Sequence, residues 1–159
     1  MSGDTPNAAA LVSVVGGGAV GGLLAALLAR AGSPVELVVR EHYRARYEAG
    51  IRVTTGEGTF CQQLPIRTVP SPAATLVVMA MKLPDLEAAC RQIAARSSNG
   101  GGVTTSTASQ EPGVLLLQNG MEALDLAAHH LPVQRLYAAV VELGATALTT
   151  AEITYSIPG

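Results

Sequence analysis

The run Gly16-Gly17-Gly18-Ala19-Val20-Gly21 leaves this chain few folds to choose from. It follows an apolar stretch, Leu11 to Val15, that reads as a short buried strand. It opens a Leu/Ala-rich segment, Ala19 to Ala31, of helical pattern, with Gly32 as its stop. A second apolar stretch, Val35 to Val39, is interrupted only by Glu36. Strand, glycine turn, helix and strand within about thirty residues make the smallest βαβ unit. Each glycine has its own task. Gly16 permits the tight turn out of the strand, Gly18 lets backbone approach a ligand with no Cβ in the way, and Gly21 lets the helix lie close on the strand. Bare amide groups at the start of a helix, together with the helix dipole, form a grip for a diphosphate.

The same glycines exclude a membrane span. No charged residue occurs from Ala8 to Ala29, and Gly17 with Gly21, and Gly18 with Gly22, match a small-residue helix-pairing pattern. Five of the seven residues from Gly16 to Gly22 are glycine, however, which breaks a membrane helix and suits a turn. A soluble, cytoplasmic protein is expected. With 48% hydrophobic residues, 3% aromatic and no Trp, the core must be built from Ala, Val and Leu, as in sheets covered on both faces. A net charge of −2 gives no sign of a nucleic-acid partner. Cys61 and Cys90 are read as reduced thiols, and no metal site is expected.

Further along, Glu41 to Ala49 reads as a short helix ended by Gly50, and 51 to 69 as a hairpin-like excursion with Gly56 and Gly58. Thr75 to Met81 is expected as a buried strand, followed by a helix from Pro84 to about Ala95. Residues 97 to 113 are low in complexity and are expected to form a mobile loop. A strand at Val114 to Leu117, a helix at Met121 to His130, and strands at Leu136 to Val141 and Ile153 to Ile157 complete the reading. The alternation implies an α/β, Rossmann-like, doubly wound and mostly parallel sheet with helices on both faces. Residues 1 to 9 are expected to be a disordered lead-in, and 10 to 159 one dinucleotide-binding domain.

Arg40, at the end of VELVVR, sits where domains selective for NAD place an acidic residue against the ribose 2′-hydroxyl. Its planar fork suits the 2′-phosphate of NADP, with Arg44 as a second phosphate partner, while the adjacent Glu41 keeps a ribose contact open. Lys82 and Asn119 fall just beyond strands, where open α/β sheets bind ligands.

Together, VVGGGAVG, Arg40, VVMAMK ending at Lys82, LLLQNG with Asn119, and the GAT at Gly144 to Thr146 resemble the amino-terminal domain of the ketopantoate reductases (2-dehydropantoate 2-reductases). The resemblance runs from about Leu11 to Gly159. It implies that Gly16, Gly17, Gly18, Ala19, Val20, Gly21, Arg40 and Lys82 contact NADP, that Asn119 lies between cofactor and substrate, and that Ala145 is near the cofactor. The implied reaction is hydride transfer from NADPH to the ketone of 2-dehydropantoate, giving pantoate for pantothenate biosynthesis. Three features depart from the family pattern: Ala74-Thr75 in place of an acidic residue, Ile157 in place of a glycine, and the loop 97 to 113. The family's second, helical domain, which the resemblance implies carries the general acid, is not expected within this chain, and His42, His129 and His130 are read as surface residues. No catalytic residue is therefore assigned, and the chain, read as a fragment or truncated gene product, is not expected to turn over substrate alone. Apolar surface that a second domain would cover leaves self-association, as a homodimer, open. The alternatives are the NADP-binding domain of another 2-oxo-acid or opine-type dehydrogenase, and a nucleotide-binding module without catalysis.

Overall fold

A computed structural model describes residues 10–98, 111–142 and 144–156. The expected lead-in at 1 to 9, most of the loop 97 to 113, and Ile157 lie outside the described residues. The chain begins with β1 (Leu11–Val15), α1 (Ala19–Arg30) and β2 (Val35–Val38). Gly32, at φ +79°, closes the helix by donating its N–H to the Ala29 carbonyl at 3.0 Å. The helix expected at 41 to 49 is α2 (Glu41–Arg44) running into a 3-10 turn at Ala45–Tyr47.

Six parallel strands form the main sheet. With β5 (Ile66–Arg67), β6 (Ala74–Met79), β7 (Gly113–Leu116) and β8 (Leu136–Ala138), the order is β5-β2-β1-β6-β7-β8. Reading outwards in opposite directions from β1, this is the doubly wound arrangement, and the winding reverses between β1 and β6. β2 is buried along its whole length, and its one charge is held rather than hydrated. Glu36, 2% exposed, accepts hydrogen bonds from the Ser13 hydroxyl at 2.5 Å and the Ser71 N–H at 2.6 Å, and pairs with Arg67 at 2.5 Å. A buried carboxylate survives only with such partners.

One face of the sheet is covered by α3 (Leu83–Ser98) and α4 (Glu122–Ala128), whose Leu86, Cys90, Ile93, Ala123 and Ala127 bury against Val77, Met79, Val114 and Leu116. The other face is covered by α1, and beyond α1 lies a second sheet that the sequence reading did not contain. It comprises β3 (Ile51–Thr55), β4 (Gly58–Gln62), β9 (Gly144–Thr149) and β10 (Glu152–Ser156) in the order β4-β3-β10-β9. The hairpin read at 51 to 69 is present as β3 and β4 over 51 to 62, whereas Ile66–Arg67 leave it and pair with β2 as the edge strand of the main sheet. The strand read at Ile153 joins it in parallel, with Ile153 opposite Val53, instead of extending the main sheet.

α1 is thus pressed between two sheets, and its small residues make that possible. A Cβ on Gly21 would come within 2.0 Å of the Gly16 carbonyl oxygen and 2.8 Å of the Ala80 methyl. On Gly22 it would meet the Ile153 side chain at 2.7 Å. The glycine pattern that imitates a membrane helix is here a close approach to neighbours on both sides. Among the described residues, no helix is long and apolar enough to cross a membrane.

Candidate functional site

At the point where the winding reverses, the carboxyl ends of β1, β2 and β6 diverge and leave a cleft of about 740 Å³, within the range of small-molecule sites. Gly16, Gly17 and Gly18 line it, with Arg40 after β2 and Lys82 after β6. Gly16 adopts φ +110°, a region closed to most side chains, and donates its N–H to the Val38 carbonyl at 2.9 Å. Gly18 is the residue before α1, and a Cβ built on it would meet nothing within 4 Å. Its bare Cα therefore borders open space rather than protein. Ala19 and Val20 form the first turn of α1, where N–H groups have no acceptor within the helix. Gly21 is buried behind them and supports the turn without lining the cleft.

The sequence reading missed the residue that holds this turn. Tyr47, 4% exposed, lies on the cleft wall and donates its hydroxyl to the Gly17 carbonyl at 2.6 Å. Gly17 is glycine because a Cβ there would be 2.3 Å from that hydroxyl. Burial pushes the Tyr47 pKa up, neighbouring Tyr43 adds to this and Arg46 opposes it, so the phenol stays a donor. Nothing in the pattern of 41 to 49 distinguishes Tyr47 from Tyr43 except that the chain tightens into a 3-10 turn there.

Arg40 and Lys82 are exposed at the cleft, and Arg40 is ion-paired with Asp85 on the first turn of α3. Asp85 was missed, although its position three residues after Lys82 places both at the same helix start; the Asp85 N–H donates to the Lys82 carbonyl at 3.0 Å. Arg44 is exposed on α2 and does not line the cleft. Asn119 is exposed beyond β7 and also stands outside the cleft lining. Its neighbour Gln118 donates to the Met79 and Met81 carbonyls at 3.1 and 2.8 Å, tying the end of β7 to the segment that leads to Lys82.

Ala145 is half-buried in β9 opposite Tyr155 and packs on the α1 core; the second sheet presents Ala147, Thr149 and Thr150 to the cleft instead. Arg46 donates to the Thr150 hydroxyl at 3.2 Å and links that sheet to the cleft wall. Of the histidines, His42 packs at a tilt against Tyr43, His129 bonds the Asp125 carbonyl, and His130 approaches Glu87 at 3.4 Å. None of the three lines the cleft.

The family model of ketopantoate reductase PanE/ApbA matches residues 12–159. The chain belongs to the ketopantoate reductase family. No curated protein matches it in sequence. Among solved structures, it is similar to a PanE/ApbA family ketopantoate reductase from Ralstonia eutropha, at 26% identity and a TM-score of 0.73, covering 91% of this chain and 46% of that one. It is also similar to a probable 2-dehydropantoate 2-reductase from Bacillus subtilis, at 24% identity and a TM-score of 0.71, with 91% and 46% covered. A D-mandelate dehydrogenase solved with NADH and anilino(oxo)acetate shares the fold at 18% identity and a TM-score of 0.74, with 91% and 45% covered. The chain spans about half the length of these structures and shares the fold of the part it matches. Of the departures from the family pattern, Ala74 and Thr75 are the first residues of β6.

Proposed function

We propose that this chain is the NADPH-binding domain of a reductase acting on a 2-oxo acid, with 2-dehydropantoate as the substrate and pantoate as the product, in the cytoplasm. The observation that carries this reading is the meeting of the bare peptide groups at 16 to 18 with Arg40 and Lys82 on a single cleft. Gly18 borders the open space a pyrophosphate needs, at the amino end of a twelve-residue helix whose dipole favours an anion. Arg40 offers a bidentate partner for a 2′-phosphate, and Lys82 a point charge for a phosphate or carbonyl oxygen. Asn119 would reach the substrate side from the end of β7, and Ala145 would lie near the cofactor through β9, whose Ala147 and Thr149 line the cleft. When bound, NADPH supplies the hydride. The residues of this chain bind and orient it, and the proton for the developing alkoxide must come from a positioned acid that these residues are not assigned to provide.

Calorimetric titration of the purified chain with NADPH and NADH tests this reading, alongside NMR shifts at residues 16 to 21. NADPH is expected to bind roughly tenfold more tightly or better, in keeping with a charge-assisted hydrogen-bonded pair. Negligible turnover of 2-dehydropantoate by the 159-residue chain is expected as well. Absence of binding, or coenzyme contacts away from the glycine turn, would overturn the reading.

A further inference from the structure

Arg40 already has a partner. Its guanidinium leaves the end of β2 and donates to the carboxylate of Asp85, which stands on the first turn of α3 across the cleft. Both side chains are well exposed, at 61% and 49%, so the pair is only weakly held and can be opened by a stronger anion. A 2′-phosphate is such an anion, but on taking Arg40 it would sit beside the displaced carboxylate as a like charge. An unphosphorylated ribose brings no charge and leaves the pair closed.

We propose that Asp85 is a coenzyme-selectivity residue: by competing with a 2′-phosphate for Arg40, it weakens NADPH alone and widens the site toward NADH. The inference rests on the coenzyme reading above and deepens it. Glu41 also lines the cleft, directly after Arg40, yet the carboxylate paired with Arg40 is that of Asp85. Selectivity is thus set between β2 and α3, and not by the residues at the end of β2 alone.

The test is calorimetry on the whole chain with NADPH, NADH, 2′,5′-ADP and 5′-AMP, for the unaltered protein and for D85N, D85S, E41Q and R40Q. In D85N and D85S, NADPH and 2′,5′-ADP are expected to tighten by about five- to tenfold, the change falling with added salt as for any exposed charge pair. NADH and 5′-AMP are expected to stay within about twofold, since neither carries the charge that Asp85 opposes. Thermal melts report whether each variant is folded, and D85S retains a polar side chain at the helix start should D85N be compromised.

If R40Q removes the NADPH preference while D85N and D85S leave it unchanged, this inference fails and the coenzyme reading stands. The inference also fails if E41Q tightens NADPH as much as D85N, because any lost negative charge would then suffice. If the unaltered chain binds neither coenzyme, or R40Q leaves the preference intact, the coenzyme reading falls and takes the inference with it.

Discussion

The hydroxyl of Tyr47 donates to the carbonyl of Gly17 at 2.6 Å, joining residues thirty positions apart across the glycine turn. A trans peptide directs its C=O and N–H in opposite directions, so anchoring the Gly17 carbonyl also fixes the N–H of Gly18. That N–H is one of the groups expected to face a diphosphate. Y47F keeps the ring and removes the anchor. We expect it to lower stability by about 1 kcal/mol and to weaken NADPH several-fold. An adenosine ligand without a pyrophosphate should bind Y47F as it binds the unaltered chain; equal weakening of both in titrations would mean that the anchor does not act on the turn.

Gly18 and Gly21 make a contrasting pair. At Gly18 the backbone is ordinary (φ −67°, ψ −171°) and a Cβ meets nothing, so G18A should cost less than about 1 kcal/mol, chiefly from a poorer helix cap. Its methyl group would stand beside the expected pyrophosphate, and NADPH affinity should fall by at least tenfold, or about 1.4 kcal/mol. At Gly21 the same methyl meets the Gly16 carbonyl at 2.0 Å, a backbone atom that cannot move without opening the turn. G21A should therefore lose roughly 2–4 kcal/mol in urea unfolding. A stable G21A, or a G18A that binds NADPH normally, would contradict this division.

These contrasts also mark what the sequence made legible. Gly16, Gly18 and Gly21 each have a role that depends on local backbone geometry, and such geometry follows from short-range pattern. Apart from the two-residue β5, the main sheet was readable for the same reason, because buried parallel strands such as β7, Gly-Val-Leu-Leu, are continuous apolar runs. The second sheet was not. β9 is Gly-Ala-Thr-Ala-Leu-Thr, mostly exposed and without period-two alternation, and β3 finds its parallel partner β10 about a hundred residues away. Tyr47 and Asp85 escaped notice because their meaning lies in contacts, with Gly17 and Arg40, that no local spacing records.

The two cysteines should behave oppositely. Cys61 is exposed, whereas Cys90 is fully buried between α3 and the main sheet. Burial first, and the charge of Glu87 second, push the Cys90 thiol up to about 11. A disulfide reagent at pH 8 should titrate one thiol quickly and the other only on unfolding. Because the folded pKa lies above the unfolded one, Cys90 favours the fold below the unfolded value of 9.0 and loses that contribution as pH climbs toward 11. The slope should approach about 1.4 kcal/mol per pH unit within that window. C90A should flatten the slope below pH ~10, leaving above it the smaller share expected of Tyr47. A slope unchanged in C90A would remove the assignment.

Gln118 offers a test of how the far side of the site is assembled. Its amide nitrogen donates to the carbonyls of Met79 and Met81, while its Oε1 is buried without a partner among the described residues. The amide is oriented by these two acceptors, at the cost of the stranded oxygen. Q118L removes the donors and the stranded oxygen together. The Met79 carbonyl keeps the Leu117 N–H at 3.1 Å, so the loss should be modest, about 1–2 kcal/mol. Q118E puts an acceptor where the donor was, facing two carbonyl oxygens, and should cost more, roughly 2–4 kcal/mol at neutral pH. The excess over Q118L should shrink in acid, where the introduced carboxyl is protonated and can donate once. Urea unfolding of the two variants at neutral and acidic pH decides the matter: a Q118E more stable than Q118L at neutral pH would mean that the amide is turned the other way.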